Sequence, residues 1–152
     1  AGEGVKVAIW DLQEDKGEAH TKEIGGVFCK TNVADEDSVK AALEKSVAAN
    51  GSPWILVNCA GIGTAEKTVG KNGVHRLDHF KRVIEINLVG TFNCIRLVAA
   101  EMEKNDPQAD GERGVIINTD AIGEATSERP GRDGWKPGSR VPARCGGSAA
   151  AR

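Results

Sequence analysis

The sequence predicts an α/β fold: a parallel sheet with helices flanking it. Three observations point there. Four short apolar runs, at 5–10, 27–29, 54–57 and 114–119, have the length and β-branched content of buried strands. Segments of helical spacing separate them, so that strand and helix alternate as in right-handed βαβ units. Each run also stops at a polar or small residue, Asp11, Asn32, Asn58 or Asn118, at the strand ends where such sheets bind ligands.

The elements follow in order. Val5 to Trp10 forms the first apolar run and stops at Asp11. Gln13 to Ile24 alternates charges in a helix-compatible way, and Gly25-Gly26 ends it. Val27-Phe28-Cys29 is the second run. Asp35 or Asp37 can cap the next helix, on which Val39, Ala42, Leu43 and Val47 recur at helical spacing until Asn50-Gly51. Trp54 to Val57 follows Pro53 as the third run and leads into Asn58-Cys59-Ala60-Gly61. A Gly- and Lys-rich loop is expected over 62–77. From Asp78 the strongest periodicity begins: Phe80, Val83, Ile84, Leu88, Phe92, Ile95, Val98, Ala99 and Met102 trace one apolar stripe. Pro107 closes that helix before the fourth run.

The chain has 152 residues, the length of one ordinary domain, and 22 acidic against 20 basic side chains. That balance supplies no global field for nucleic acid or an anionic membrane, and neither partner is expected. No apolar run approaches the roughly 20 residues of a membrane span, and no signal pattern opens the sequence. A cytoplasmic or mitochondrial-matrix location is expected. The absence of tyrosine excludes a phenol as acid or base in this chain. The four cysteines contain no CxxC pair, and the three histidines complete no zinc-ligand spacing. His75 and His79 are read as solvent-facing, with no third ligand close by, and no metal is expected.

Composition divides the chain at Thr119. Residues 1–119 carry 14 basic and 18 acidic residues, whereas 120–152 carry 6 and 4. The second segment holds nine Gly and Pro but only three large apolar residues, Ile122, Trp135 and Val141. It cannot bury enough surface to offset its ordering entropy, so it is expected to be a disordered tail behind a domain at 1–119.

Chemistry is sought at the strand ends. An acid closing a strand of a dinucleotide fold accepts hydrogen bonds from adenosine ribose hydroxyls and repels a 2′-phosphate, which favours NAD. Asp11 stands in such a place, though it can equally cap the helix that follows. Cys59, Ala60 and Gly61 put small residues where a strand opens into a loop, allowing close approach of a ligand or a simple turn. Asn87 lies on the apolar stripe between Ile84 and Leu88, where an amide needs partners.

Together these residues resemble the short-chain dehydrogenase/reductase family over residues 5–119. Asp11 ends a strand, Asn58-Cys59-Ala60-Gly61 is similar to the family's Asn-Asn-Ala-Gly motif, and Asn87 to Phe92 is similar to its central-helix asparagine segment. Gly90-Thr91-Phe92-Asn93, Ile95 to Ala99 and Arg113 to Thr119 resemble the branch that acts on 3-hydroxyacyl-CoA and hydroxysteroids. The resemblance implies a partial Rossmann-type sheet, NAD as cofactor, and an acyl-CoA or steroid-like secondary alcohol as substrate. It implies that Asp11 binds the adenosine ribose and that Asn32 and Val33 flank the adenine. Cys59, Ala60 and Gly61 would pass along the cofactor, and Asn87 would organise a water-mediated proton relay. Oligomers in this family form partly through the long helix, so a homo-oligomer, or pairing with a full-length dehydrogenase, is expected.

Departures from the pattern set further expectations. Asn32 stands where the family usually has Asp. The sequence begins too late for the family's first strand and its glycine-rich pyrophosphate turn, and Gly2 and Gly4 do not form that motif. Ala121 occupies the place of the catalytic serine, no tyrosine is present, and Lys136 lacks the Tyr-x-x-x-Lys context. The inner edges of the strands at 5–10 and 54–57 should therefore re-pair or leave backbone groups unsatisfied, giving a partly folded or aggregation-prone product. The chain alone is expected to be inactive as a dehydrogenase, and a truncated relative acting as a non-catalytic interaction subunit is the alternative.

Overall fold

The computed structural model describes residues 2–71 and 73–119. The expectations of a tail at 120–152 and of altered catalytic positions at Ala121 and Lys136 lie outside the described residues. Strand β1 (Ala8–Asp11) leads into α1 (Glu14–Ile24), β2 (Val27–Lys30), α2 (Glu36–Asn50) and β3 (Ile55–Asn58). A hairpin of β4 (Val69–Gly70) and β5 (Gly73–Val74) follows. Then come α3 (Leu77–Ile84), a π-helical segment Glu85–Gly90, α4 (Thr91–Met102) and β6 (Val115–Asn118).

Local chemistry ends these elements where the sequence says it should. Gly25 adopts a left-handed φ of 67° and its N–H donates to the Thr21 carbonyl, which closes α1. Of the two candidate caps for α2, Asp35 is the one used: its Oδ1 accepts the Ser38 N–H at 2.6 Å.

The strands form two separate parallel pairs. β1 pairs with β2 in the register Ala8↔Val27 to Asp11↔Lys30, and β3 pairs with β6 from Ile55↔Val115 to Asn58↔Asn118. Among the described residues the two inner edges gain no new partner strand. Ile55 and Val57 of β3 stand about half exposed, at 53% and 49%, so solvent reaches that strand. The 62–77 segment, expected as plain loop, contains the antiparallel hairpin Val69↔Val74, Gly70↔Gly73.

The core lies between α2, α4 and β2, where Cys29, Val39, Ala42, Cys94, Val98 and Met102 are buried. This divides the apolar stripe. Its C-terminal part packs inward, whereas Phe80, Leu88 and Phe92 remain exposed at 54%, 62% and 63%. The helical stretch Leu77–Met102 also holds an 18-residue window of mean hydropathy 1.5, long and apolar enough by length and composition to cross a membrane. That corrects the expectation that no run approaches such a length. Only 22% of that window is buried, and its Asn87 and Asn93 side chains are bonded to loops of the α/β unit.

Candidate functional site

The C-terminal ends of β1 and β2 lie side by side, since Asp11 is in register with Lys30 and the Asp11 carbonyl accepts the Thr31 N–H at 3.0 Å. Asp11 is exposed, and its Oδ1 accepts the Gln13 N–H at 2.8 Å. Asp11 does not cap α1, whose N-cap is Gln13 with no side-chain cap bond; its Oδ1 instead closes a local turn onto the Gln13 N–H. Oδ2 has no protein donor among the described residues.

Asn32 is exposed in the turn after β2. Its N–H donates to Ser38 Oγ at 2.9 Å, and its Oδ1 accepts the Ala34 N–H at 3.2 Å. An amide oxygen has two lone pairs, so one acceptor position remains for a ligand. Val33 is half-buried against the helix: a Cβ placed on Gly90 would stand 2.6 Å from Val33 Cγ2. The Val33 carbonyl accepts a hydrogen bond from Asn93 Nδ2 at 2.9 Å.

On the other pair of strands, Asn58 Nδ2 donates to Asn118 Oδ1 at 2.8 Å, and the Thr119 N–H and hydroxyl both donate to the Asn58 carbonyl. The turn Cys59-Ala60-Gly61 is exposed. Asn87 fixes its far end: Oδ1 accepts the Ile62 N–H at 2.9 Å and Nδ2 donates to the Ile62 carbonyl at 2.8 Å. Asn87 is half-buried and both ends of its amide bond the Ile62 backbone, which clamps the loop after β3.

The predicted site residues thus gather around one stretch of helix. Asn87 holds the loop after β3, while Gly90 and Asn93 hold the loop after β2. Asp11 joins the latter through Thr31. The stretch includes the π segment, a wider turn of a kind that recurs at functional sites. Sequence reasoning passed over Gly90 and Asn93 as site residues. For Gly90 the available signal was an isolated glycine inside a helical pattern, which points to a packing constraint.

Burial pushes the Cys94 thiol up to about 11, so it is a packing residue and not a nucleophile. His75 and His79 lie at the surface, partly exposed as expected, but they are not free. Glu66 lies between them, 2.5 Å from His79 Nδ1 and 3.7 Å from His75 Nε2. Among the described residues no set of side chains is arranged to hold a metal ion.

The hydrogen bond from His79, aided by the Arg76 backbone, holds the Glu66 carboxyl below its ordinary value near 4.5. A depressed folded value means the Glu66 contribution is present above that ordinary value and is lost as pH falls through the lowered one. The Tm gap between the native chain and Glu66→Gln should therefore be present at neutral pH and close on acidification. A gap unchanged at pH 3 would contradict this assignment.

The family model described as short chain dehydrogenase matches residues 1–130. The 3-hydroxyacyl-CoA dehydrogenase type-2 of Mus musculus is 44% identical over 125 residues, covering 80% of this chain and 48% of that protein. Its Drosophila melanogaster counterpart is 47% identical over 126 residues, 80% of this chain and 49% of that protein. The crystal structure of 3-hydroxyacyl-CoA dehydrogenase type-2 from Mycobacterium avium superposes with a TM-score of 0.71 at 36% identity, over 77% of this chain and 47% of that one. A 7 alpha-hydroxysteroid dehydrogenase complexed with NADH and 7-oxo glycochenodeoxycholic acid gives a TM-score of 0.65 at 28% identity, over 76% and 43%. The chain spans about half the length of the curated relatives it matches.

Proposed function

The chain belongs to the short-chain dehydrogenase family, and from that premise we propose that residues 1–119 form the adenosine side of an NAD site in an oxidoreductase of secondary alcohols, with a 3-hydroxyacyl-CoA as substrate. The observation that carries this reading is the assembly of Asp11, Asn32, Val33 and the Cys59-Ala60-Gly61 turn around the Asn87–Asn93 stretch of one helix.

The residues fit the adenosine part of NAD. Asp11 Oδ2 offers a carboxylate to the ribose hydroxyls, and its charge disfavours a 2′-phosphate. Asn32 Oδ1 offers an acceptor to the adenine amino group, and Val33 gives an apolar wall. Bound NAD would supply the hydride acceptor. Asn87 keeps the Cys59-Ala60-Gly61 turn in place. The relay role and the acyl-CoA or steroid preference rest on the relatives, and a cytoplasmic or mitochondrial-matrix setting is part of the same reading.

This chain has no tyrosine to exchange a proton with the substrate oxygen, and loss of a general acid–base group costs on the order of 10²–10⁴ in rate. Titration of the full chain with ADP-ribose tests the site, with Asp11→Ala as the control. Saturable binding that Asp11→Ala weakens at least tenfold is expected, alongside no NAD reduction with a 3-hydroxyacyl-CoA. Failure to bind ADP-ribose would overturn the site, and turnover above a buffer blank would overturn the expected inactivity.

One observation favours a second reading, that of an interaction subunit. Leu77, Phe80, Leu88 and Phe92 present a large exposed apolar surface on the long helix, which suits a second copy or a full-length relative. Co-purification with a full-length dehydrogenase distinguishes that reading.

A further inference from the structure

We propose that Asn93 is a positioning residue for base recognition, acting on Asn32 through a single peptide plane and held in its own orientation by Arg96 and Glu36. The proposal rests on the reading of this region as an adenosine site and adds the element that would set selectivity for adenine.

Asn93 sits inside α4 with 6% exposure. Asparagine is a poor residue for a helix interior, and a buried amide requires partners. Its Nδ2 reaches out of the helix to the Val33 carbonyl, 60 positions away, at 2.9 Å. That carbonyl and the Ala34 N–H belong to one planar trans peptide and point in opposite directions. The Ala34 N–H is the donor to Asn32 Oδ1, at 3.2 Å. Asn93 therefore orients the peptide whose other side holds the Asn32 side chain. Gly90, lacking a Cβ, admits Val33 against the same helix.

The direction of the Asn93 amide is also determined. Arg96 Nη2 donates to Asn93 Oδ1 at 2.8 Å, and a guanidinium can only donate. The amide oxygen must face Arg96, so the NH₂ must face Val33. Arg96 is held in turn by Glu36 at 2.8 Å, which also pairs with Lys40 at 2.6 Å. These two cations hold the Glu36 carboxyl below its ordinary value, with the Lys40 hydrogen bond first and the Arg96 charge next. The series Lys40–Glu36–Arg96–Asn93 thus runs from the first turn of α2 to the Asn32–Val33 turn.

The test compares 5′-AMP with 5′-IMP, whose base replaces the adenine amino group with a carbonyl, on the full chain by calorimetric or NMR titration. The native chain should prefer AMP. Asn93→Asp keeps the acceptor for Arg96 but removes the donor to Val33. At pH 8 it should weaken AMP binding about tenfold, the effect of one lost hydrogen bond of about 1.4 kcal/mol, and bring the AMP/IMP ratio towards one. Acidification protonates the introduced carboxyl, restores a donor and should recover the ratio, a response that simple loss of packing does not give. Arg96→Leu, at a half-exposed position, releases the amide to turn and should move the ratio in the same direction; it decides the matter if Asn93→Asp does not fold. Folded variants with the native ratio at both pH values would overturn the proposal, as would equal affinity of the native chain for AMP and IMP. Failure of the native chain to bind either nucleotide would instead overturn the adenosine-site reading beneath it.

Discussion

Gly90→Val is expected to cost about 3 kcal/mol of folding stability, at the upper end of overpacking effects. The reason is space and not backbone conformation, because Gly90 has an ordinary helical φ of −62°. A Cβ there would stand 2.6 Å from Val33 Cγ2, 3.2 Å from Val33 Cβ and 3.3 Å from the Val33 backbone carbon. The side-chain tip can turn aside, but the backbone carbon is held by the Asn93 hydrogen bond to the adjoining carbonyl oxygen. Gly90→Ala separates the two opposing effects. Alanine gains about 1 kcal/mol of helix propensity over glycine, which offsets part of an overpacking cost of about 1–3 kcal/mol. Pairing Gly90→Ala with Val33→Ala removes the contacting methyl groups and should recover stability beyond the sum of the single changes. Urea unfolding of the four chains measures the coupling, and strict additivity would show that the Val33 contact is not the cause.

Asn87→Leu should destabilise the chain by about 2–3 kcal/mol, since it removes two hydrogen bonds and leaves two half-buried backbone groups of Ile62 without partners. The loss should be local in character. Amide exchange at Ile62 should accelerate, while the Val33 turn, held independently by Gly90 and Asn93, should keep its protection. Asn87→Asp retains an acceptor for the Ile62 N–H but faces the Ile62 carbonyl with an oxygen, so it should fall between leucine and the native residue. Faster exchange at both loops, or at neither, would count against separate clamps on a common helix.

The order of elements was legible along the chain because it depends on neighbours in sequence. Gly25 closes α1 through its left-handed φ, and Asp35 caps α2 with its own carboxylate. The strands at 27–30, 55–58 and 115–118 coincide with apolar runs to within a residue or two. The candidate residues at the strand ends were legible for the same reason, since a strand's last residue can be read from where its apolar run stops.

What remained illegible depends on contacts distant in sequence. Periodicity drew one apolar stripe from Phe80 to Met102, but only the elements that actually pack on the helix decide which part is buried. Cys94, Val98 and Met102 meet α2 and β3, while Phe80, Leu88 and Phe92 meet none of the described elements closely enough to be covered. The pairing of His75 and His79 with Glu66 was unreadable because Glu66 comes from the far side of a hairpin the sequence did not announce. By itself the sequence determined the fold class, the order of the main strands and helices, and the family, all written in local backbone chemistry and short motifs. Only the tertiary structure decided that the four main strands stand as two pairs, and that Asn87 and Asn93 grip two different loops. Pairing and burial are set by which distant surfaces meet, and no run of neighbouring residues encodes that on its own.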